Sequence, residues 1–519
     1  MTTTPARPAK TSTTSGTSGG GAARTAAPSG RASGPSRAAP PERRRSGLVT
    51  FVRGRWLGTI PGRIRTYVAL ALVAAGALAA VLGIAIGDAR DSVRTIGRDA
   101  GPQVVATGSL YFALSDMDAQ VANILLIGRE HGLGIGYDES QRVYRQRRDE
   151  AGAAAVQAAQ LAGRDPHLRQ RVQAVLTGLG RYEQLAGEAM LLDRQADHAA
   201  GEPPRQVVET YRQATDLMKL ELLPQAYNLT LDSGASVRQT YETKRSAVLD
   251  GRTWVAVTGV LLLAVLLAAQ LYLARGFRRL VNPGLALATV ATAALVVAGL
   301  GELSAQADHI RKAKLNGFDS VLTLSRARAI SHSAFADESR YLLDPDKADT
   351  YEQTYFDKLL SVLYTSLDGK PVNLDNYYTA FDRTVGAYLS GRSGTSFLGF
   401  FGDERRTARP GSEEASLKRT LRAYGAVIDN DQSVRRLAAG GDRAGAIALR
   451  MDRGKAIHDF DAYDAALRSL TATHQAAFDG AIKAADDGLD GWTVLPPAAA
   501  VVIAALTIAG VRPRLAEFR

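Results

Sequence analysis

The sequence has no cysteine among its 519 residues and only seven histidines. Disulfides, zinc–thiolate sites and thiol nucleophiles are therefore excluded. The histidines are scattered, and no pair has metal-ligand spacing beside a carboxylate, so we expect no metal and no cofactor. Walker, HExxH and Gly-x-Ser-x-Gly motifs are also missing, and the glycines after His131 have the wrong spacing for a phosphate-binding loop. We therefore expect a protein that is not an enzyme.

Charged residues and histidines are missing from four long apolar windows. At about 1.5 Å of rise per residue, each window is close to the length that crosses a hydrocarbon core of about 30 Å. A buried globular helix would explain one such run, whereas four in order, flanked by arginines, favour membrane spans. The predicted transmembrane helices are Thr66–Gly87, Trp254–Leu273, Leu285–Gly301 and Trp492–Gly510.

Basic residues are concentrated in three segments. Residues 1–65 carry twelve Lys/Arg and one Glu, the link 274–284 carries three Arg, and the tail 511–519 carries three Arg and one Glu. Because basic segments beside membrane spans stay in the cytoplasm, we predict a multi-pass cell-membrane protein with both termini and the link inside. The net charge of these three segments is +16, whereas that of the whole chain is +11. The rest of the chain, which is mainly the two long extracytoplasmic excursions, therefore has a net charge of −5. Topology and anionic lipid therefore explain the basic excess, and no nucleic acid is expected.

The ten-residue link Arg275–Gly284 joins two halves that share short motifs. LDGRTW, beginning at Leu249, enters the second span, and LDGW, beginning at Leu489, enters the fourth. Similarity at a repeated offset indicates internal duplication. The two predicted excursions are residues 88–251 and 302–491.

Both excursions are predicted to be helical, because apolar residues recur three and four positions apart and no alternating period persists. Breaks rich in glycine and proline divide each into four helices, and connections of this length favour antiparallel bundles. We therefore predict an all-α membrane protein with four transmembrane helices and two duplicated extracytoplasmic antiparallel four-helix bundles. The predicted helices are 88–127, 138–162, 168–196 and 204–250, followed by 303–343, 348–392 with a break, 412–437 and 443–490.

The first 48 residues are rich in Ser, Thr, Gly, Ala and Pro and contain no aromatic residue. Such a segment cannot bury a core, so we predict a disordered cytoplasmic tail over residues 1–48. Residues 49–65 mix apolar residues with arginine, as in a juxtamembrane segment on the inner leaflet or a plain linker.

The spans do not favour transport. A carrier needs ionisable groups or broken helices at the middle of the membrane, and only Pro496 and Pro497 interrupt a window. Helical bundles continuous with their spans are typical of chemoreceptor-like sensors, in which small helix shifts carry a signal inward. Because the cytoplasmic segments are short or disordered, the output is expected to come from a cytosolic partner.

The cytoplasmic link is predicted to contact that partner, although its arginines also fix topology. The link residues concerned are Arg275, Arg278, Arg279, Asn282 and Pro283.

An insert in the second excursion is predicted to contact an extracytoplasmic partner. It places Phe397, Phe400 and Phe401 in a glycine-flanked connection, where exposed rings are unfavourable in water. The expected contacts are the first bundle, the outer leaflet or a binding protein.

Two further classes of function remain open. Arg326, Arg328 and Arg340 suggest a direct sensor of acidic or amino-acid ligands, because arginine pairs well with carboxylates. Arg326 and Arg340 are four turns apart, however, so solvated salt bridges are the favoured interpretation. A cell-envelope scaffold without signalling is the third class.

The architecture, the stretch RRLVNPGLALAT from Arg278 and the helix SRARAISHSAFADESRYLLDP from Ser325 resemble the GlnX family of actinobacterial membrane proteins. The resemblance spans roughly residues 60–519, and the Ala/Gly/Arg-rich composition agrees with an actinobacterial source. It implies a relay from a glutamine-binding-type solute-binding lipoprotein to the cytosolic serine/threonine protein kinase G, which controls 2-oxoglutarate metabolism. In such a relay the loaded lipoprotein docks on the acidic bundles and thereby moves the arginine-bearing link. The sequence leaves open whether the chain forms a homo-oligomer.

Overall fold

The computed structural model describes residues 60–161, 166–277, 282–365, 370–392 and 394–516. Regular structure in these ranges is helical, apart from one isolated β bridge between Tyr364 and Leu398. The predicted all-α class is confirmed. The α-helices are α1 Ile60–Arg94, α2 Gly101–Ile127, α3 Tyr137–Leu161, α4 Pro166–Ala196, α5 Arg205–Leu217, α6 Leu223–Phe277, α7 Pro283–Ala313, α8 Asp319–Leu343, α9 Ala348–Val362, α10 Leu374–Leu389, α11 Phe400–Thr407, α12 Ser412–Ala439, α13 Arg443–Arg450, α14 Ala456–Gly488 and α15 Leu495–Ala516.

Several α-helices join without a break into long rods. The π-helical turns Thr95–Ala100, Met218–Leu222 and Lys314–Phe318 connect α1 to α2, α5 to α6 and α7 to α8, respectively. These three rods and α15 are long and apolar enough to cross a membrane, as the sequence predicted. The predicted tail 1–48 and most of the juxtamembrane segment lie outside the described residues.

The apolar windows pack together into a four-helix bundle, called here the apolar bundle. It contains α1, the second half of α6, the first half of α7, and α15, arranged as a ring. Leu78, Leu82 and Leu262 fill its centre, while Val260 and Val297 lie exposed on the outside. Apolar residues on both faces suit helices that are surrounded by lipid.

Two further cores lie beyond the apolar bundle. The first distal bundle consists of α2 to α5 with the start of α6, and the second distal bundle consists of α8 to α14. The predicted helices 138–162 and 168–196 agree with α3 and α4 to within two residues, whereas the predicted helices 88–127 and 204–250 are parts of longer rods.

The predicted break within residues 348–392 is present between α9 and α10, and the second distal bundle contains one further short helix, α11, that was not predicted. The chain leaves α9 at Val362, and Asn373 caps α10 by accepting a hydrogen bond from the backbone N–H of Asn376 at 2.9 Å. A second break separates α13 from α14. The second bundle thus contains more helices than the first. The internal duplication stays a prediction.

A buried histidine fixes α11 within the second distal bundle. His474 of α14 lies 2.6 Å from Glu404 Oε1 through Nε2 and 2.9 Å from the carbonyl oxygen of Asn316 through Nδ1. An imidazolium, which donates from both ring nitrogens, fits these two oxygen partners. Burial by itself lowers the pKa of His474, but the hydrogen bond and charge of Glu404 outweigh it and raise the pKa above its usual value.

This raised pKa predicts a pH-dependent stabilisation. Protonated His474 stabilises the fold fully below the unfolded pKa of about 6.5, and the effect is lost as pH rises through the higher folded pKa. The difference in Tm between the unmodified protein and His474→Gln should therefore be larger at about pH 6 than at about pH 9. The exposed His458→Gln substitution serves as the control and should show no such trend. A Tm difference that does not change with pH would argue against a charged His474.

Candidate functional site: a cleft between the distal bundles

The two distal bundles are joined where α2 packs along α8. Every residue from Leu110 to Gly128 is buried, because α2 contacts its own bundle on one side and α8 on the other. The two helices touch at Gly108, where an added Cβ would lie 3.5 Å from the Cβ of Ser325. Polar side chains of these two helices therefore meet in the interior of the protein.

A fully buried arginine connects the two bundles. Arg340 of α8 forms ion pairs with Asp118 of α2 and with Asp337, and its Nε donates to the Tyr211 hydroxyl at 3.0 Å. Asp118 also accepts a hydrogen bond from the hydroxyl of Tyr182 at 3.0 Å. A buried charge is strongly unfavourable unless it is paired and hydrogen-bonded. The packing of α2 on α8 therefore depends on this set of contacts.

Two lysines from different bundles complete the contacts of Asp337. Lys219, in the π turn between α5 and α6, lies 3.1 Å from one carboxylate oxygen, and Lys358 of α9 contacts the other. Burial lowers the pKa of Lys358 to about 8; Asp337 opposes the shift, and the neighbouring cations add to it. We call Arg340, Asp118, Asp337, Lys219 and Lys358 the interface network.

A second polar cluster lies about 12 Å along α8, nearer to the apolar bundle. His332 bridges the bundles, with Nδ1 3.2 Å from Asp116 of α2 and Nε2 3.0 Å from Asp464 of α14. A carboxylate at each ring nitrogen suits an imidazolium, which donates from both. Arg328 adds two hydrogen bonds to Asp464, at 2.6 and 3.0 Å. Burial raises the pKa of Asp464, but His332 and Arg328 outweigh it and hold that pKa far below its usual range.

These residues line a cleft of about 730 Å³ between the distal bundles. Helices α2 and α3 supply one side, and α8 and α14 supply the other. Phe112, Phe335 and Phe460 add aromatic surface, and the last two rings stack with centroids 3.9 Å apart. Pockets for small molecules commonly measure about 300–1,000 Å³ and combine apolar walls with a few polar groups. We call this space the interbundle cleft.

The described link residues lie at the end of the apolar bundle away from the cleft. Arg275 is exposed near the end of α6, and Pro283 occupies the first turn of α7. Arg278 and Arg279 lie outside the described residues. Partner contact by the link stays a prediction.

Asn282 has a structural role beside its predicted partner contact. Its side-chain oxygen accepts from the backbone N–H of Gly284 at 3.2 Å, and its side-chain nitrogen donates to the carbonyl of Gly510 at 2.6 Å. An added Cβ on Gly284 would lie 2.6 Å from the Cα of Gly510, so α7 and α15 are in backbone contact here. Asn282 therefore caps α7 and joins it to α15.

The aromatic insert belongs to the core of the second distal bundle. Phe397 is 4% exposed and Phe401 is 0% exposed, while Phe400 is half-buried. Tyr364 and Leu398 exchange backbone hydrogen bonds of 3.0 and 2.8 Å, which fold the insert back onto its own bundle. This corrects the expected contact of Phe397 and Phe401 with a partner, the leaflet or the first bundle, because buried rings offer a partner no surface.

The three arginines of α8 have different surroundings. Arg340 belongs to the interface network, Arg328 lines the cleft, and Arg326 lies over the ring of Tyr227 at 5.6 Å. The favoured interpretation of solvated salt bridges was wrong for Arg340, since α8 lies between two bundles and not at the surface.

The acidic residues of the interface were not among the site residues predicted from the sequence. Asp116 and Asp118 stand within the otherwise mostly apolar stretch Leu110–Ile127. A charged residue on a helix that is apolar on every face needs a buried partner. The presence of two aspartates in this stretch therefore indicates, from the sequence alone, that buried partners exist. It does not reveal which residues supply the partner.

The first distal bundle has a counterpart among known protein families. Residues 92–242 match the actinobacterial sensor domain. The sensor-domain match includes Asp116, Asp118 and Lys219, three charged residues that the first bundle contributes to the polar interface. No curated protein and no solved structure matches the chain. The match indicates a role in sensing or signalling.

Arg340→Met is predicted to destabilise the protein. The substitution leaves Asp118 and Asp337 without their shared cation, and breaking a buried ion pair typically costs about 3–5 kcal/mol. Thermal unfolding in detergent should show a large fall in Tm. Arg205→Met, which alters a pair on the exposed surface, is the matched control and should leave Tm nearly unchanged. Equal Tm values for the two variants would contradict a structural role for the network.

Phe401→Ser is predicted to destabilise the second distal bundle. Emptying a buried phenylalanine site typically costs about 3–5 kcal/mol, and Phe401 packs against the rings of Tyr424 and Tyr463. Limited proteolysis should cleave the variant faster than the unmodified protein. Leu398→Ser, at a position that is 51% exposed in the same insert, should have little effect. Equal resistance of the two variants would show that the insert is not part of the core.

Proposed function

We propose that this protein is a transmembrane sensor that relays a change in the packing of its distal bundles through its apolar helices. This proposal is supported mainly by the three helical rods, which run without a break from the apolar bundle to the polar interface between the distal bundles. Rigid helices transmit small translations and rotations along their length. A rearrangement between α2 and α8 would therefore move α1 and α7 within the apolar bundle.

The π turns support coupling between the rods. Gly97 and Gly317 lie in two of these turns, and both face α14. An added Cβ would lie 2.6 Å from Ile482 in the first case and 2.6 Å from Phe478 in the second. Single π turns are frequent at functional positions of helices. Helix α14 thus contacts both rods between the cleft and the apolar bundle.

For partners we propose an extracytoplasmic solute-binding lipoprotein, carrying an amino acid, and a cytosolic serine/threonine kinase that controls nitrogen and 2-oxoglutarate metabolism. The GlnX resemblance supports both partners. The charge distribution supports the orientation, since the link and both terminal segments are basic and the excursions together carry −5. In this scheme Arg275, Arg278 and Arg279 form the surface that faces the kinase.

The interbundle cleft favours a second candidate function, direct sensing of a small molecule. Its volume, its aromatic walls and its convergent polar groups have the character of a ligand site. Because it lies between the two bundles, a bound molecule would contact both α2 and α8 and bias their packing. The relay through the rods is the same in both candidates.

Locking α2 to α8 is predicted to stop the relay. Gly108→Cys with Ser325→Cys would place the two Cβ atoms about 3.5 Å apart, within the usual range for a disulfide. The chain has no other cysteine, so only one disulfide can form within it. In cells that carry this variant as their only copy, oxidation should abolish the response of kinase phosphorylation to external amino acids. Reduction should restore that response.

Each single-cysteine variant, oxidised in the same way, controls for effects of the treatment. Crosslinking is measured as loss of free thiol. A full response from completely crosslinked protein would contradict a relay through α2 and α8.

A further inference from the structure

We propose that the interbundle cleft binds a small organic cation through a primary ammonium group. This inference rests on the proposed sensing function and names the chemical class that the cleft would detect. It differs from the acidic ligand that the arginines of α8 suggest in the sequence.

The arginines that line the cleft are already engaged by its carboxylates. Arg147 contacts Asp116 at 2.6 Å, and Arg328 and Arg468 both donate to Asp464. Each of these guanidinium groups is therefore already paired with a carboxylate. An anionic ligand would have to displace these internal pairs.

The acceptors without partners point to a ligand that donates hydrogen bonds. Asp461 lines the cleft, is exposed there, and makes no hydrogen bond or ion pair with the described residues. Burial and the neighbouring Asp464 raise the pKa of Asp461, and they outweigh the opposite effect of His332 and His458. A cation beside Asp461 would supply that compensation.

A buried amide supplies a second, independent acceptor. Gln120 lines the cleft, is 9% exposed, and donates through Nε2 to Asp116 Oδ1 at 3.2 Å. Because a carboxylate only accepts, the amide nitrogen must face Asp116, and the amide oxygen is left without a partner. A buried acceptor without a donor is unfavourable, and an N–H of a bound ligand would satisfy it.

The described residues of the cleft do not suit a divalent metal ion. The lining contains five carboxylates, three arginines and His332, so the anions exceed the cations by one even when His332 is charged. Among the described residues no group of three or more His, Asp or Glu side chains is arranged to hold a metal ion. A primary ammonium group supplies one positive charge and several N–H donors for acceptors such as Asp461 and Gln120, and the phenylalanine walls accommodate a carbon chain.

The test compares three probes with the same four-carbon skeleton: butylammonium, 4-aminobutanoate and butanoate. The full chain is placed in phosphatidylcholine nanodiscs, and binding is measured by saturation-transfer NMR and calorimetry. We expect butylammonium to bind best, 4-aminobutanoate less well and butanoate least. Any other order, or no saturable binding of butylammonium, overturns the proposal.

The decisive variant is Asp461→Asn, which keeps the shape of the side chain and removes its charge. It should weaken butylammonium binding about tenfold or more, because a hydrogen bond to a charged group is lost. Asp479→Asn, on the same helix but outside the cleft lining, is the matched control. Equal affinities of the two variants, with unchanged Tm, overturn the assignment.

Binding to the purified chain requires neither a partner protein nor a signal. Absence of butylammonium binding to the unmodified chain therefore counts against the cation site alone. An active crosslinked variant counts against the relay alone.

Discussion

The ion pair between Arg340 and Asp118 is the constraint on which the arrangement of the distal bundles depends. Each charge is buried, so neither is tolerated without the other, and the two residues come from different bundles. A purely apolar contact between α2 and α8 would tolerate sliding by a turn, because one apolar ridge resembles the next. Fixed charges define the register of α2 against α8.

A polar interior of this kind differs from an apolar core in its response to perturbation. Electrostatic interactions are stronger where water is excluded, and their energy changes sharply with small movements. The interbundle cleft brings solvent close to His332 and Asp464, at the edge of this interior. A change in charge at the cleft therefore changes the electrostatic energy of the contacts that His332 makes with α2 and α14.

Much of the architecture follows from local sequence patterns. The uncharged windows identify four helices that are long and apolar enough to cross a membrane, and helical periodicity predicts α3 and α4 of the first distal bundle to within two residues. The packing of α2 on α8 was not predictable in this way, because periodicity shows that a face is buried and not what covers it. For the same reason Phe397 and Phe401 looked like residues of an exposed loop. Their burial depends on the long-range pairing of Tyr364 with Leu398.

The core of the first distal bundle includes residues that the chain reaches only much later. Val434, Ile447 and Met451 pack in it together with α2, and Gly134 adjoins the carbonyl of Met451 so closely that a Cβ would lie 2.1 Å away. Residues 92–242, although they match a sensor domain, therefore do not by themselves complete the core of the first distal bundle. Excised, they would present apolar surface to water and leave Asp118 without Arg340. During synthesis, the first half must remain incompletely packed until the second half has emerged.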